Sequence, residues 1–204
     1  MNIVERVHLI RHGQTDWNVE GRWQGTLPTE LNDEGHAQAA ALASHMRSWP
    51  IQAVYTSDLP RAAQTAAALG ETLGVSPILD SRWQEFHLGI FQGLTRDQIE
   101  ARYPHEWHEF RRLYWEYVVP EGESRRMLQS RAFAAWSDIV ARPNASEVAV
   151  VSHGGVIRML LLKLFADHPD VPNIHIENTS ITTIERRGDD WHLLRAALIP
   201  HLTV

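Results

Sequence analysis

Short apolar runs alternate with longer helical patterns along most of this chain, and this alternation constrains the fold more than any other feature of the sequence. The runs with the length and apolar character of buried strands are residues 7–10, 53–56, 77–79 and 147–152. Helical patterns follow the first, second and fourth runs, at residues 32–49, 57–74 and 154–165. Such alternation is typical of a parallel sheet with helices on both faces. The sequence therefore predicts an α/β fold, a three-layer α/β/α sandwich with a mainly parallel sheet.

The remaining patterns extend this fold without dividing it. Helices are predicted between the third and fourth runs, at residues 95–103, 104–117 and 124–142. Near the end, two strand-like runs at residues 180–185 and 191–198 flank Gly188-Asp189, which predicts a hairpin at the edge of the sheet. No repeat, low-complexity tract or linker interrupts residues 1–204, so we expect a single domain. The edge hairpin leaves a homodimer possible.

The amino-acid composition limits the kinds of catalytic and metal-binding site that the chain can form. The chain contains no cysteine and 12 histidines, and its formal net charge is −6. Without cysteine there is no disulfide framework, thiolate metal site or cysteine nucleophile, so histidines and carboxylates must perform any demanding chemistry. An acidic balance without a basic run disfavours nucleic acid or an anionic membrane surface as partners. The first residues lack an export signal, and no apolar stretch approaches the ~20 residues of a membrane span, which predicts a cytoplasmic protein.

Basic or acidic side chains follow each of the four apolar runs. Arg11 and His12 end the first run, and Arg61 comes shortly after the second. Glu85 follows the third run, and His153 follows the fourth. Because the carboxyl ends of parallel strands meet at one edge of a sheet, we expect these side chains to lie close together.

Two arginines, two histidines and one carboxylate suit a phosphoryl group. Guanidinium groups hold phosphate oxygens through paired hydrogen bonds, and helix N-termini add backbone N–H donors. An imidazole can act as a nucleophile that divides transfer to water into two steps, while a carboxyl group donates and later accepts a proton. The cationic side chains would offset the phosphoryl charge, so we expect neither a metal nor a cofactor. No Walker or dinucleotide-binding glycine pattern is present.

Four segments resemble, in the same order, the motifs of the histidine phosphatase superfamily, which includes the cofactor-dependent phosphoglycerate mutases and many phosphatases. They are Leu-Ile-Arg-His-Gly-Gln-Thr-Asp-Trp-Asn at residues 9–18, Thr-Ser-Asp-Leu-Pro-Arg-Ala-Ala-Gln-Thr-Ala at 56–66, Glu-Phe-His-Leu-Gly at 85–89 and Val-Ser-His-Gly-Gly at 151–155. The resemblance extends from residue 7 to about residue 183. It implies a phosphoglycerate mutase-like α/β sandwich with a helical lid inserted at about residues 95–124.

The resemblance also implies a role for each matching residue. His12 is expected to be the nucleophile that becomes phosphohistidine, with Glu85 as the proton donor. Arg11, Arg61 and His153 are expected to hold the phosphoryl oxygens. Further residues expected to contact substrate are Asn18, Gln24, Gly25, Thr26, His87, Gly154 and, in the lid, Arg111.

Residues beside Glu85 distinguish the branches of this family. Mutases have Arg and Tyr at the positions matched here by Phe86 and Leu88, and those polar groups help to hold phosphoglycerate. Their absence favours hydrolysis, and residues 85–95 and 120–124 resemble the broad-specificity and glucosyl-phosphoglycerate phosphatases. We therefore expect a metal-independent phosphatase of the histidine acid type that acts on small phosphorylated metabolites.

Two alternatives stay open at this point. A doubled arginine at residues 111–112 lies near the place where mutases have one, so a cofactor-dependent phosphoglycerate mutase is the main alternative. A non-catalytic module that binds phosphorylated ligands or a protein is more remote, because such a module would be expected to have lost the nucleophile or the acid. A metal-binding role is weaker still, since the 12 histidines are scattered rather than spaced as ligands.

Overall fold

A six-stranded sheet forms the centre of the molecule in the computed structural model, which describes residues 3–142 and 145–202. Its strands are β1 (Arg6–Arg11), β2 (Ala53–Thr56), β3 (Ile78–Leu79), β4 (Glu147–Ser152), β5 (Ile181–Arg187) and β6 (Asp190–Leu198). The order across the sheet is β3-β2-β4-β1-β5-β6, and the first four strands in this order run parallel. β5 is antiparallel to β1 and forms the edge hairpin with β6. The predicted α/β fold, the mostly parallel sheet and the edge hairpin are confirmed.

Seven α-helices surround this sheet in the described part of the chain. They are α1 (Asp16–Val19), α2 (Asp33–Met46), α3 (Pro60–Leu73), α4 (Arg96–Arg102), α5 (Pro104–Arg112), α6 (Arg125–Val140) and α7 (Gly154–Leu164). Their ends follow ordinary capping chemistry: the Asn32 side chain accepts a hydrogen bond from the Gly35 N–H, and Gly74 ends α3 with a left-handed φ of 70°. The short helix α1, closed by a capping box at Thr15, was not predicted.

Strand β4 shows how the layers are built. Val148 and Val150 face one apolar core with α6 and α7, whereas Ala149 and Val151 face the other core with α2 and α3. All four side chains are fully buried. Successive side chains of a strand point to opposite faces, so an uninterrupted apolar run requires cover on both sides. The result is the predicted three-layer arrangement.

The segment after α5 differs from the prediction. The helix predicted over residues 104–117 ends at Arg112, and the chain continues in turns. An Nη1 group of Arg125, in the first turn of α6, donates hydrogen bonds to the carbonyl oxygens of Phe110 (3.2 Å) and Tyr114 (2.8 Å). A side chain of the next helix thus satisfies the carbonyl group of Phe110, which the end of α5 leaves free, and that of Tyr114 just beyond it. Sequence periodicity contains no information about such a contact.

No helix within residues 3–142 and 145–202 combines the length and apolar character needed to span a bilayer. The carboxyl ends of β1 and β4 lie side by side, with Arg11 opposite Ser152. His12 follows β1 directly, and His153 lies between β4 and α7. This edge of the sheet is where the sequence predicts the functional residues to meet.

Candidate active site

His12 is held in one tautomer. Its Nδ1 lies 2.7 Å from the carbonyl oxygen of Gly13, which can only accept a hydrogen bond, so Nδ1 holds the proton. Its Nε2 accepts a hydrogen bond from Nε of Arg61 at 3.2 Å. The ring is almost fully buried. The lone pair of Nε2 is therefore free of a proton and directed towards a cationic partner.

His12 and His153 form a buried pair with ring centroids 5.1 Å apart. Burial, followed by the positive charge of Arg61, holds the pKa of each histidine well below its ordinary value. Nε2 of His153 lies 2.9 Å from the hydroxyl oxygen of Ser57. Nδ1 of His153 is buried and has no hydrogen-bond partner among the described residues. A buried polar atom without a partner is costly, which indicates a place for a ligand.

Arg61 is fully buried in the first turn of α3 and is fixed by a loop. Besides His12, its guanidinium group donates to the carbonyl oxygens of Leu27 (2.9 Å) and Gly25 (2.8 Å) and to Thr29 Oγ1 (3.0 Å). Burial lowers the pKa of Arg61 to about 10. Four of its five N–H groups are thus occupied, so the main effect of Arg61 is to orient His12 and the loop.

Arg11 has more N–H donors without a partner than Arg61 has. One Nη1 hydrogen bond goes to the carbonyl oxygen of Ile176 at 2.8 Å, and Nε is buried without a partner within the described residues. Burial lowers the pKa of Arg11, while the nearby Glu85 acts in the opposite direction. Its guanidinium group is therefore the better placed of the two to bind an anion with paired hydrogen bonds.

Two backbone N–H groups hold the Glu85 carboxylate. Oε1 accepts from the N–H of Phe86 at 2.8 Å, and Oε2 accepts from the N–H of Gly155 at 3.1 Å. Gly155 lies in the first turn of α7, where free N–H groups favour a negative charge. The carboxylate is thus fixed against the helix that begins after His153.

One cavity of about 200 Å³ is shared by Arg11, His12, Arg61 and Glu85. Its lining residues are Arg11, His12, Asn18, Arg22, Trp23, Gln24, Gly25, Arg61, Glu85 and Leu88. Seven residues singled out from the sequence are among them: Arg11, His12, Asn18, Gln24, Gly25, Arg61 and Glu85. Arg22 and Trp23 were missed as site residues, although they directly precede the segment 24–26 that the resemblance places in the pocket. Within the described residues, no cluster of three or more His, Asp or Glu side chains is arranged to hold a metal ion.

The other predicted site residues lie around this cavity rather than in its wall. The N–H of Thr26 donates to the Gln92 side chain at 2.8 Å, and a Cβ on Gly154 would lie 3.7 Å from Cδ of Arg11. His153 and His87 are not among the lining residues, although the ring of His153 lies beside that of His12. Arg111 lies over the Trp107 ring, 5.9 Å from its centroid, beside a different cavity.

The loop before β5 holds the backbone of His12, and the sequence pattern did not predict this contact. Nδ2 of Asn178 donates to the carbonyl oxygen of His12 at 2.9 Å and to Oδ1 of Asn18 at 3.2 Å. The N–H of Thr179 donates to the carbonyl oxygens of Arg11 (3.0 Å) and His12 (3.3 Å). Thr179 has a φ of 57°, which is unfavourable for a β-branched residue. This strain is retained because the turn holds the backbone of the two site residues.

Arg131 on α6 supports Glu85 in the same way. Its Nη2 donates to the carbonyl oxygen of Glu85 at 2.8 Å, and its Nη1 donates to the carbonyl oxygens of Arg82 and Gln84. An ion pair of 2.6 Å with Glu123 holds the guanidinium group in place. Arg131 binds carbonyl oxygens, which every residue has. The types of the residues near Glu85 therefore do not predict these contacts.

The low histidine pKa values lead to a pH prediction. We expect the ring NMR signals of His12 and His153, assigned with His12→Ala and His153→Ala, to keep their neutral-form shifts as the pH falls to about 6. Because the unfolded chain binds these protons at its ordinary pKa near 6.5 and the folded chain does not, the free energy of unfolding should fall as the pH decreases below that value. Titration of both rings at or above pH 6.5 would contradict the geometry.

Comparison with known proteins identifies the family of this chain. The family model described as the histidine phosphatase superfamily (branch 1) matches residues 7–198. The chain therefore belongs to the histidine phosphatase superfamily, and the resemblance predicted from its four motifs is confirmed.

The relatives in this family include proteins named as phosphatases and proteins named as mutases. Glucosyl-3-phosphoglycerate phosphatase of Mycobacterium tuberculosis is 40% identical over 174 residues, which cover 78% of this chain and 76% of that protein. A probable phosphoglycerate mutase of an Enterobacter species is 31% identical over 195 residues, which cover 91% of this chain and 87% of that protein. The solved structure of a mycobacterial glucosyl-3-phosphoglycerate phosphatase in complex with VO3 matches with a TM-score of 0.82 and 35% identity, covering 95% of this chain and 99% of that one.

Proposed function

We propose that this protein is a metal-independent phosphatase that hydrolyses small phosphomonoesters through a phosphohistidine intermediate. The observation that most supports this function is the state of His12, whose unprotonated Nε2 lies in the same cavity as the Glu85 carboxylate. A nucleophile and a proton donor on one cavity are what a two-step phosphoryl transfer to water requires.

In the first step, the hydrogen bond from Arg61 to Nε2 of His12 breaks, the lone pair of Nε2 attacks phosphorus, and the bond between phosphorus and the ester oxygen breaks. The protonated carboxyl group of Glu85 gives its proton to the departing oxygen, so the leaving group departs as an alcohol. In the second step, the Glu85 carboxylate takes a proton from water as the water oxygen attacks phosphorus. The bond between phosphorus and Nε2 then breaks, and inorganic phosphate leaves while His12 recovers its lone pair.

The phosphoryl oxygens are held by groups that have unused hydrogen-bonding capacity. Arg11 contributes its free guanidinium donors, including the unpartnered Nε. Nδ1 of His153 is the second unpartnered atom, and it can donate when Ser57 donates its hydroxyl proton to Nε2. Fixed donors of this kind stabilise charge that develops during transfer. The positive charge of Arg11 offsets that of the phosphoryl group without a metal ion or another cofactor.

Hydrolysis is favoured over the mutase reaction by the residues around Glu85. Leu88 lines the cavity and Phe86 is buried, so neither position supplies a polar group for a phosphoglycerate. Arg112, half of the doubled arginine that resembles the mutases, forms an ion pair with Glu109 at 2.6 Å. The names of the phosphatase relatives support the same choice, and the mutase-named relative makes a direct test necessary.

We also propose that residues 95–124 form the lid of a single domain. Trp23, in the wall of the cavity, packs against Trp107 and Phe110 of α5, with ring centroids 5.8 Å apart in each pair. The proposed lid thus lies against the entrance to the phosphoryl site.

The purified protein should hydrolyse p-nitrophenyl phosphate in the presence of EDTA, and vanadate should inhibit it. Brief reaction with a ³²P-labelled ester should give an adduct that survives alkali and is lost in acid, as expected for a phosphoramidate. Incubation with 3-phosphoglycerate and 2,3-bisphosphoglycerate tests the alternative directly. Production of 2-phosphoglycerate at a rate exceeding phosphate release would identify a mutase, and loss of activity in EDTA would contradict the mechanism.

The position of Gly155 provides a second test. A Cβ at this position would overlap the Glu85 carboxylate, whereas a Cβ on Gly154 would make an ordinary contact with Arg11. We expect Gly155→Ala to displace the carboxylate by about 1 Å and lower kcat/KM about 10²-fold. The fold should be retained, because the end of a flexible side chain can move aside. Gly154→Ala is the matched comparison and should lose much less activity; equal losses would contradict the role of Glu85.

A further inference from the structure

The loop that follows the proposed acid is interlocked with the end of the proposed lid, just before α6. The N–H of Ile90 donates to the carbonyl oxygen of Pro120 at 3.1 Å, and the N–H of Glu123 donates to the carbonyl oxygen of His87 at 2.9 Å. A Cβ on Gly122 would overlap the same carbonyl oxygen of His87. The two segments therefore lie backbone against backbone, and at Gly122 no side chain would fit between them.

The Glu123 side chain extends this contact. Its Oε1 accepts from the N–H of His87 at 3.0 Å and from Nη2 of Arg131 at 2.6 Å, and its Oε2 accepts from Nε of Arg131 at 3.1 Å. The side chains of Glu123 and Arg131 are only 11% and 22% exposed. A carboxylate so little exposed needs hydrogen bonds and an opposite charge to stay ionised, and Glu123 has both.

Arg131 uses all of its donors in this arrangement. Two of its hydrogen bonds go to Glu123, and three go to the carbonyl oxygens of Arg82 (2.9 Å), Gln84 (2.5 Å) and Glu85 (2.8 Å). A guanidinium group has five N–H donors in one rigid plane. The plane of Arg131 thus fixes the backbone up to the proposed acid relative to the carboxylate of Glu123.

The place of the Glu85 carboxylate depends on this backbone. Its two oxygens accept from the N–H groups of Phe86 and Gly155, at 2.8 and 3.1 Å. The first donor belongs to the loop that Glu123 holds, and the second belongs to α7. A shift of the loop relative to α7 would therefore pull the carboxylate away from one of its two donors and displace it in the cavity.

We propose that Glu123 is a positioning residue for the acid Glu85 and that it determines which esters the site can hydrolyse. Neither Glu123 nor Arg131 is among the residues that line the cavity, so Glu123 acts through the backbone and exchanges no proton. An alkyl ester needs the proton of Glu85 on its departing oxygen, whereas p-nitrophenolate leaves readily without one. Glu123 therefore extends the range of substrates from activated esters to alkyl esters. This inference rests on the proposed phosphatase function and adds what controls its leaving-group range.

Two esters with different leaving groups test the role of Glu123. We compare kcat/KM for glycerol 2-phosphate, an alkyl ester, with kcat/KM for p-nitrophenyl phosphate. In Glu123→Gln, the ratio of the alkyl value to the aryl value should fall about tenfold, because a small displacement of the acid impairs proton transfer to the departing oxygen. A merely structural role would reduce the amount of active protein and lower both values by the same factor.

Glu116→Gln is the matched control. Glu116 also forms an ion pair with an arginine of α6, Arg126, at 2.9 Å, but both side chains of this pair are exposed. Its replacement should leave the ratio of the two kcat/KM values unchanged. An equal fall of the ratio in Glu116→Gln and Glu123→Gln would contradict the proposal.

A second test uses Glu85→Gln as the background. Because Glu123 is proposed to act only through the acid, the double variant Glu85→Gln/Glu123→Gln should have the same ratio as Glu85→Gln alone. A further fall of the ratio in the double variant would show that Glu123 acts by another route and would overturn the proposal.

Circular dichroism shows whether Glu123→Gln is folded. If it is not, Arg131→Lys takes its place, since lysine keeps the positive charge but has three N–H donors for the five hydrogen bonds of Arg131. The same fall of the ratio is expected. An unchanged ratio in the folded variant, with a lowered ratio in Glu85→Gln, would overturn the role of Glu123 and leave the phosphatase function intact. No hydrolysis of either ester by the wild-type protein, together with no labelled phosphoenzyme, would overturn both.

Discussion

Replacement of His12 by alanine is expected to reduce phosphatase activity by roughly 10⁴-fold or more, the scale on which the loss of a covalent nucleophile acts in other enzymes. The lone pair of Nε2 is proposed to form the new bond to phosphorus, and no other histidine among the described residues lines the cavity. His153, whose ring centroid is 5.1 Å from that of His12, does not line the cavity. Steady-state hydrolysis of p-nitrophenyl phosphate measures the loss.

His36→Ala is the control for this variant. His36 is an exposed histidine on α2, so its removal tests the effect of losing an imidazole away from the site. The labelled phosphoenzyme should disappear in His12→Ala and persist in His36→Ala. Comparable activity in the two variants would reject the phosphohistidine mechanism.

Replacement of Glu85 by glutamine is expected to act differently on different substrates. Removing a general acid typically costs 10²- to 10⁴-fold, roughly, and alkyl phosphates should show a loss of this size because an alkoxide leaves poorly without a proton. p-Nitrophenolate leaves readily, so the first step with p-nitrophenyl phosphate should be slowed much less. The second step still needs a base to take the proton from water.

Rapid mixing of Glu85→Gln with p-nitrophenyl phosphate should therefore show a burst. About one equivalent of nitrophenol per protein should form quickly, followed by slow turnover as the phosphoenzyme accumulates. The variant keeps one side-chain oxygen to accept from Phe86 or Gly155, so the local fold should persist. Glu71→Gln, an exposed position on α3, is the control. Equal losses with both classes of ester and no burst would assign the acid to another residue.

The part of the site that could be predicted consists of residues placed at the ends of strands. Arg11, His12 and His153 follow β1 and β4, whose apolar runs are visible in the sequence, and parallel pairing alone brings those ends together. Glu85 is less constrained, since the strand before it has only two residues, yet its carboxylate reaches the same cavity. For these residues, local pattern and strand direction were sufficient to predict proximity, and their catalytic roles stay predictions.

The supporting residues could not be predicted in this way. Arg131, Asn178 and Thr179 act on carbonyl oxygens of residues 46 or more positions away in the chain. Every residue has a carbonyl group, so these contacts leave no pattern of residue types. The early end of α5 was missed for a similar reason, because Arg125 from the next helix binds the carbonyl oxygens of Phe110, in its last turn, and of Tyr114, just beyond it.

The sequence by itself determined the layered α/β fold, the family and the set of groups that meet at one edge of the sheet, because these follow from the period of apolar residues and from the order of four motifs. Only the tertiary structure decided the proton position on His12, the unused donors of Arg11 and the unpartnered nitrogen of His153. It also decided that Arg111 lines a second cavity with Arg96 and Arg125 rather than the cavity that contains His12. Protonation, hydrogen-bond supply and charge balance depend on which atoms approach within a few ångströms, and packing of distant segments sets those distances.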